Sequence, residues 1–282
     1  MSSTTPAPDG LSPAWFAQRL ADLRRPSTTP RAPLLLHGQA VGSVAEPAFT
    51  QFVQRAQLQK WVQFDARSAV WEILGEADRS LDVIARAMRD WQYARVDALW
   101  RDEPLAVPDA RGNRLAQVER GAVRALGLPT QCVYLHGLAD DGRIWVQQRS
   151  AHKATDPSLW DTLVGGMVSA QDNLTQALRR ETWEEAGLPL ACLRRLHAGG
   201  RFEQRFPHAM DGGLGYVIER VDWFVADVSA DRPPRNIDGE VQRFAALTPT
   251  ELVPMLHRGE FTLESSVILA CSVFGFGLPP MA

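Results

Sequence analysis

The sequence predicts an α/β protein whose mixed sheet is covered by helices on both faces, preceded by a smaller α+β region. In the second half of the chain, short runs with strand character are interleaved with segments of helical periodicity, the order that such a sheet requires. Between residues 34 and 128 the pattern instead changes several times among apolar runs, glycine turns and helical periodicity. We therefore expect a disordered tail over residues 1–10, an accessory α+β domain over residues 11–128 and an α/β domain over residues 129–282.

The composition argues against several classes of protein. The chain has 282 residues, of which 45% are hydrophobic and 22% charged, so it can bury a substantial core. A formal net charge of −3 provides no basic footprint for general nucleic-acid binding. No apolar run approaches the span of a bilayer, and the start of the chain lacks the basic and apolar regions of a signal peptide. With three scattered cysteines, the sequence predicts a cytoplasmic protein that binds neither nucleic acid nor membrane.

Caps, prolines and periodicity predict the elements of the first half. Ser12 and Pro13 have the chemistry of an N-cap and a first helical position, which predicts a short helix ending near Arg25. The other predicted elements are a strand over residues 34–36 and helices over residues 49–56, 80–88 and 115–126. Five tryptophans fall in this half, and we expect core packing rather than a stacking platform for a ligand from Trp15, Trp61, Trp71, Trp91 and Trp100.

Turn residues and alternating apolar positions predict the elements of the second half. An Asp-Asp-Gly turn at residues 140–142 separates strands over residues 132–136 and 144–148. A strand and a loop over residues 160–167 then lead to a helix over residues 172–186. The remaining predictions are strands over residues 193–198, 201–206, 216–228 and 240–247, and helices over residues 250–258 and 263–274.

The helix predicted from Asp172 to Ala186 changes character along one face. A continuous line of side chains begins apolar and ends acidic, through Leu174, Leu178, Glu181 and Glu185. Glu184 adds a third carboxylate at the C-terminal end, where like charges and the helix dipole both disfavour anions. A hard divalent cation would compensate these charges, and Mg²⁺ or Mn²⁺ takes such oxygen ligands.

The stretch from Gly166 to Leu188 resembles the Nudix box, G-x5-E-x7-R-E-U-x-E-E-x-G-U with U apolar. The spacing matches throughout, and the specified positions are occupied by Gly166, Asp172, Arg180, Glu181, Glu184, Glu185, Gly187 and Leu188. Two positions depart from the pattern, because Asp172 replaces the usual Glu and Thr182 replaces an apolar residue. Neither departure touches the R-E and E-E core of the motif.

Resemblance to the Nudix family implies an α/β/α sandwich and Mg²⁺-dependent hydrolysis of a diphosphate linkage in a small-molecule substrate. At the matching positions, Glu181, Glu184 and Glu185 are implied to hold the metal, with the Gly166 carbonyl completing its shell. Arg180 is implied to position Glu181 by a charge-assisted contact. The catalytic base varies among Nudix enzymes, so Glu181 is one candidate for that role.

Four residues outside this core are predicted to act on substrate or water. Arg149 and Lys153 lie just upstream of the box, where a guanidinium fork and an ammonium are suited to clamping a diphosphate. Ordinary surface cations are the alternative interpretation. Asp172 is grouped with the substrate-binding residues, and its carboxylate has a shorter reach than that of the usual Glu. Glu240, where a loop re-enters a strand, is the second candidate for the base.

Secondary motifs narrow the resemblance to a Nudix subgroup that carries an additional N-terminal domain. This subgroup is related to the part fused to thiamine pyrophosphokinase in some larger proteins, and the similarity covers most of residues 11–278. The motifs are HGQAVGSV, ERGAVRALGL, RSAHKATDPSLWDTLVGGM, DGEVQRF and GEFTLESSVIL. The resemblance implies hydrolysis of thiamine diphosphate, and preferentially of its oxidised (oxo and oxy) analogues, to the monophosphates. The accessory domain would then form one wall of the substrate cleft.

Three other functions stay open. A hydrolase of nucleoside diphosphates linked to another group, such as ADP-ribose or a dinucleotide, would use the same box. A Nudix domain that senses its ligand without hydrolysis is a binding-module alternative, although a pure sensor has no need of intact R-E and E-E positions. The RSxxK run also resembles isopentenyl-diphosphate isomerase, but the proton-donating Cys of that enzyme is absent from residues 163–166. A homodimer is also left open.

Overall fold

The computed structural model describes residues 10–109, 111–208 and 212–280. The tail expected over residues 1–10 therefore lies outside the described residues except for Gly10, whose carbonyl accepts a hydrogen bond from His257 Nε2 at 2.6 Å. In the described part of the chain, no helix is long and apolar enough to cross a membrane.

The first half of the chain contains a four-stranded sheet in the order β2-β1-β4-β3. Its strands are β1 (Arg31–Leu36), β2 (Gln39–Ala45), β3 (Val62–Asp65) and β4 (Val70–Ile73). The helices of this half are α1 (Pro13–Asp22), α2 (Ala48–Arg55), α3 (Ala77–Asp90) and the short α4 (Val96–Leu99). Ser12 caps α1 by accepting a hydrogen bond from the Trp15 backbone N–H at 3.1 Å, as the sequence predicts.

Strands β5 (Pro104–Pro108) and β6 (Arg114–Glu119) form a separate antiparallel pair. The helix predicted over residues 115–126 is therefore wrong. Alternate residues of β6 are buried, which is the two-residue period of a strand, and the chain then makes a short 3₁₀ turn over Arg120–Ala122. Over so short an apolar run, the periods of a strand and of a helix cannot be separated from sequence.

The five tryptophans of the first half differ in exposure. Trp71 is buried, and three more pack partly buried against the core, namely Trp15, Trp61 and Trp100. Trp91 is 55% exposed, so the expectation of core packing is wrong for this residue.

The second half builds a seven-stranded mixed sheet. Its strands are β7 (Pro129–Ala139), β8 (Ile144–Arg149), β9 (Trp160–Thr162), β10 (Val164–Met167), β11 (Arg194–Pro207), β12 (Tyr216–Val228) and β13 (Val241–Leu247). The order is β11-β12-β7-β8-β13, with β10 paired to β7 and β9 paired to β8. β12 and β7 are parallel, whereas the other pairs are antiparallel. The two strands predicted over residues 193–198 and 201–206 form the single strand β11.

Helices cover both faces of this sheet. They are α5 (Leu174–Ala186), α6 (Pro249–His257) and α7 (Leu263–Phe274). Because successive residues of β7 point to opposite faces, Val133 packs in one apolar cluster with Leu178 of α5, whereas Cys132 belongs to another with Ile268 of α7. The second cluster continues into the four-stranded sheet, so the two halves of the chain share an apolar core. The predicted α/β class, with a mixed sheet covered on both faces, is confirmed.

Two carboxyl groups meet on the α7 side of this sheet. The buried Gln204 donates from Nε2 to Glu219 Oε2 and to Glu264 Oε1, each at 2.6 Å. Thr130 Oγ1 donates to the other oxygen of Glu219 at 3.2 Å. Burial, and then the neighbouring charge of Glu219, raise the pKa of Glu264 from 4.5 to about 7.

We expect the Glu264→Gln variant to resist unfolding better than the parent chain at pH 8. The pKa of Glu264 is higher in the folded chain than in the unfolded chain. As pH rises from 4.5 to about 7, the unfolded chain therefore loses the Glu264 proton while the folded chain still holds it. The free energy of unfolding should fall by about 3 kcal/mol across that window, and the neutral amide removes this loss. Urea unfolding of the parent and the variant at pH 5 and pH 8 measures this change in the free energy of unfolding. Parallel pH profiles for the two proteins would contradict the prediction.

Candidate active site

Helix α5 presents its acidic stripe to the sheet. Asn173 begins the helix with a capping box closed by Gln176, and Gly187 ends it in the left-handed region at φ 64°. With both ends set, the helical period turns two carboxylates inward, so that Glu181 is 8% exposed and Glu185 only 1% exposed. The inward-pointing acidic stripe that the sequence predicts is present.

Strand β10 approaches α5 at a glycine. A Cβ atom built on Gly166 would overlap the carboxyl group of Glu181, so only glycine permits this approach. The backbone of Gly166 therefore lies directly against a buried carboxylate.

Arg180 links the acidic groups on one side of the helix. Its Nε donates to Asp172 at 2.9 Å, and its Nη1 donates to Glu181 at 2.8 Å and to Glu184 at 3.2 Å. A further bond, from Nη2 to the Met167 carbonyl at 3.1 Å, ties the guanidinium to the end of β10. Asp172 and the three other groups thus hold Arg180 over the outer edge of the carboxylate cluster.

Glu185 lies deeper, among donors from the sheet. Its Oε2 accepts from Gln147 Nε2 at 2.8 Å and from the Gly165 backbone N–H at 2.9 Å. Lys153 Nζ approaches Oε1 at 3.5 Å and also forms a close ion pair with Glu240. Lys153 therefore joins the acidic end of α5 to the carboxylate that precedes β13.

The pKa values in this cluster reflect burial beside like charge. Burial, and then the charge of Glu185, raise the pKa of Glu181 to about 8. Burial also raises the pKa of Glu185, with Lys153 acting against it. Partial burial acts to raise the pKa of Glu240, but the charge and the hydrogen bond of the nearby Lys153 ammonium act against it, and that pKa is lowered. A positive charge beside Glu181 and Glu185 would favour their ionised forms.

The two cations of the predicted clamp have different surroundings. Arg149 Nη1 bonds the buried Asp161 at 3.1 Å, while Nε and Nη2 donate to the carbonyls of Asp156 at 3.1 Å and Thr155 at 3.0 Å. These contacts occupy donors that a diphosphate would need. Lys153 is the member of the pair that faces the carboxylates.

A cation-lined cleft of about 80 Å³ opens beside this cluster, and we call it the basic cleft. Its charged lining residues are Arg101, Arg120, Arg124, Arg149, Lys153 and Glu240. Sequence reasoning missed the first three, which come from the first half of the chain. The run ERGAVRALGL contains Arg120 and Arg124, but nothing in its local pattern indicates that they face the box.

The oxygen donors at the end of α5 fit a hard divalent cation. Three carboxylates, those of Glu181, Glu184 and Glu185, are available with the carbonyl of Gly166, whose backbone lies against one of them. In residues 10–109, 111–208 and 212–280, no three acidic, histidine or cysteine side chains converge as a ready-made metal site. Arg180 and Lys153 place positive charge beside the same carboxylates.

The fold and the site define an α/β protein with a buried carboxylate cluster at the end of one helix and a basic cleft beside it. Residues 132–267 match the family model described as NUDIX domain, and this part of the chain is therefore a Nudix domain.

The chain is similar in sequence or in fold to proteins from several organisms. The chain is 36% identical over 86 residues to an uncharacterised Nudix hydrolase of Streptomyces coelicolor, covering 30% of this chain and 48% of that one. It is 27% identical over 169 residues to the chloroplastic Nudix hydrolase 24 of Arabidopsis thaliana, covering 57% and 44%. The crystal structure of a Deinococcus radiodurans protein, DR0079, superposes with a TM-score of 0.48 at 21% identity, covering 60% of this chain and 99% of that one. The chain spans about half the length of the curated relatives it matches.

Proposed function

We propose that the protein hydrolyses a diphosphate linkage in a small organic molecule with the help of a divalent metal ion. The observation that carries the proposal is the juxtaposition of the buried Glu181 and Glu185 with the basic cleft. Carboxylates beside cations suit a reaction in which a metal and a phosphate chain share one site. The Nudix domain over residues 132–267 supports the same chemistry.

Glu181, Glu184, Glu185 and the Gly166 carbonyl would hold Mg²⁺ or Mn²⁺. When bound, such an ion neutralises phosphate charge and lowers the pKa of a water molecule. Arg180 orients Glu181 and Glu184 through its two Nη1 contacts and thereby keeps the donor set together.

The proton of the attacking water needs an acceptor. Glu181 and Glu240 are both candidates, since Glu240 is a carboxylate on the rim of the basic cleft and Glu181 lies inside the cluster. Lys153 bridges Glu240 to Glu185, so it orients the outer carboxylate relative to the metal-binding group. Asp172 accepts a hydrogen bond from Arg180 Nε at 2.9 Å and so helps to hold Arg180 against Glu181 and Glu184.

For the substrate we propose thiamine diphosphate and its oxidised analogues, which would yield monophosphates. The support is the set of secondary motifs on both sides of the box, among them ERGAVRALGL and DGEVQRF, which contribute Arg120, Arg124 and Glu240 to the basic cleft. We also propose that residues 11–128 are an accessory domain that forms one wall of this cleft. ADP-ribose and dinucleotides are the alternative substrates.

We expect the purified chain, incubated with Mg²⁺, to convert oxo- and oxythiamine diphosphate faster than thiamine diphosphate, and all three faster than nucleotides. The panel also contains ADP-ribose, NADH, diadenosine polyphosphates and damaged nucleoside triphosphates, with release of phosphate and monophosphate as the measurement. Reactions with excess EDTA serve as the control. Faster turnover of ADP-ribose than of the thiamine diphosphates would support the hydrolase activity and contradict the thiamine substrate. If no compound of the panel is hydrolysed, the protein is better explained as a ligand sensor.

A further inference from the structure

We propose that Arg101, Arg120 and Arg124 form, together with Lys153, an anion-binding site that takes the terminal phosphate of an organic diphosphate. The inference rests on the proposed function and narrows its substrate class to molecules whose diphosphate ends in a free phosphate group. Three of these cations come from the first half of the chain and one from the Nudix domain.

Local contacts bring the segment after α4 and the turn after β6 together. The Glu119 carboxylate accepts backbone N–H bonds from Arg101 at 2.7 Å, from Glu103 at 3.1 Å and from Gly121 at 3.2 Å. A Cβ atom on Gly121 would stand about 3 Å from the backbone of Leu99, tighter than ordinary contact, so glycine permits this packing. Arg101 and Arg120 are thereby held on the same side of the basic cleft.

Arg120 reaches from this turn toward the candidate active site. Its Nη1 bonds Glu103 at 2.7 Å, an ion pair that fixes the side chain while it lines the cleft. The charge of Arg120 also contributes, after that of Lys153, to the lowered pKa of Glu240. Arg120 and Lys153 thus place positive charge around one small space next to the carboxylates.

The remaining two arginines keep their charge available. Arg124 Nη1 lies 2.7 Å from His208 Nε2, and Arg101 Nη1 donates to the carbonyls of Ala98 and Trp100. Within the described ranges of the chain, no carboxylate pairs with either guanidinium. Uncompensated guanidinium groups in a cleft favour an anion with several oxygens, for which a phosphate is well suited.

The size and lining of the cleft select a phosphate group rather than a ring. About 80 Å³ is well below the roughly 300–1,000 Å³ of sites that enclose a whole organic ligand. The uncharged residues that line it in the described part of the chain include no aromatic side chain: Leu99, Val123, Ala154, Thr155 and Met167. The diphosphate therefore ends in the cleft, and the organic part of the substrate lies outside it.

The test is binding of methylenediphosphonate, a diphosphate analogue without a cleavable bridge, to the full chain in the presence of Mg²⁺. We expect Arg124→Gln and Arg120→Gln each to raise its Kd by about 10-fold, the loss of one charge-assisted contact. Arg67→Gln is the matched control, because Arg67 is exposed in the turn between β3 and β4 and should leave the Kd unchanged. Since Arg120→Gln also breaks the ion pair with Glu103, a folded Arg124→Gln with the parent Kd would overturn the inference.

Two further measurements separate this site from the hydrolytic reaction. If methylenediphosphonate binding depends on the arginines but the chain hydrolyses no substrate, the anion site is supported and the proposed hydrolase activity is overturned. Turnover with the same KM in Arg124→Gln and the parent would overturn the anion site and leave the hydrolase standing. Displacement of methylenediphosphonate by ADP but not by ADP-ribose is expected, and equal displacement by both would overturn the restriction to terminal phosphates.

Discussion

Glu185→Gln is expected to lower kcat by about 10²–10³-fold on the best substrate of the panel, the range for removal of one charge-stabilising group. The carboxylate lies at the inner end of the acidic stripe, 1% exposed, where it can contribute to a metal shell. An amide keeps the size of the side chain and the oxygen that accepts from Gln147 and Gly165, but it removes the negative charge. The chain should therefore stay folded while turnover is lost.

Steady-state kinetics with Mg²⁺ and circular dichroism together measure this effect. Glu72→Gln is the matched control, because Glu72 accepts from the Gly38 N–H at 3.0 Å in the four-stranded sheet, and an amide oxygen can do the same. The control should retain the parent kcat. Near-parent activity in a folded Glu185→Gln protein would remove Glu185 from the proposed metal site.

Arg149→Ala is expected to lower the free energy of unfolding by about 3–5 kcal/mol, the range for breaking a buried ion pair from one side. Asp161 is 1% exposed and pairs with Arg149 at 3.1 Å. Its other hydrogen bonds come from the Thr162 N–H at 2.9 Å, from Thr262 Oγ1 at 3.4 Å and from Ser265 Oγ, and these neutral donors do not neutralise its charge. The variant would leave a buried carboxylate without its cation.

Urea unfolding at pH 7 measures the loss. Arg143→Ala is the control, since Arg143 and its partner Asp141 are about half exposed and the loss of such a solvent-screened pair should leave the stability nearly unchanged. Adding Asp161→Asn to Arg149→Ala should recover part of the lost stability. An Arg149→Ala protein of unchanged stability but raised KM would instead support the predicted role of Arg149 as a phosphate clamp.

Much of the candidate site follows from spacing along one segment. A helix of 3.6 residues per turn necessarily places Leu178, Glu181 and Glu185 on one face, so the acidic stripe could be predicted before any fold was known. The cap Ser12 likewise marks a helix start from local chemistry alone. Such features depend on covalent geometry and short-range hydrogen bonds, which the order of residues dictates directly.

Other assignments depended on contacts between distant segments. Arg149 and Lys153 look equivalent in the sequence. Only the tertiary structure, in which α7 packs against β9, shows that Arg149 pairs with the buried carboxylate of Asp161. Strand character in β6 came from pairing with β5, which a short apolar run does not encode.

The sequence by itself determined the α/β class, the Nudix box and the inward direction of Glu181 and Glu185. The tertiary structure decided which cations face those carboxylates. The arginines of the first half line one cleft with Lys153 and Glu240 only because the segment after β6 packs against the Nudix domain, where the Arg124 carbonyl accepts from the Tyr216 N–H at 2.8 Å. The physical reason is that helical periodicity is a local property of the chain, whereas the composition of a cleft is set by long-range packing.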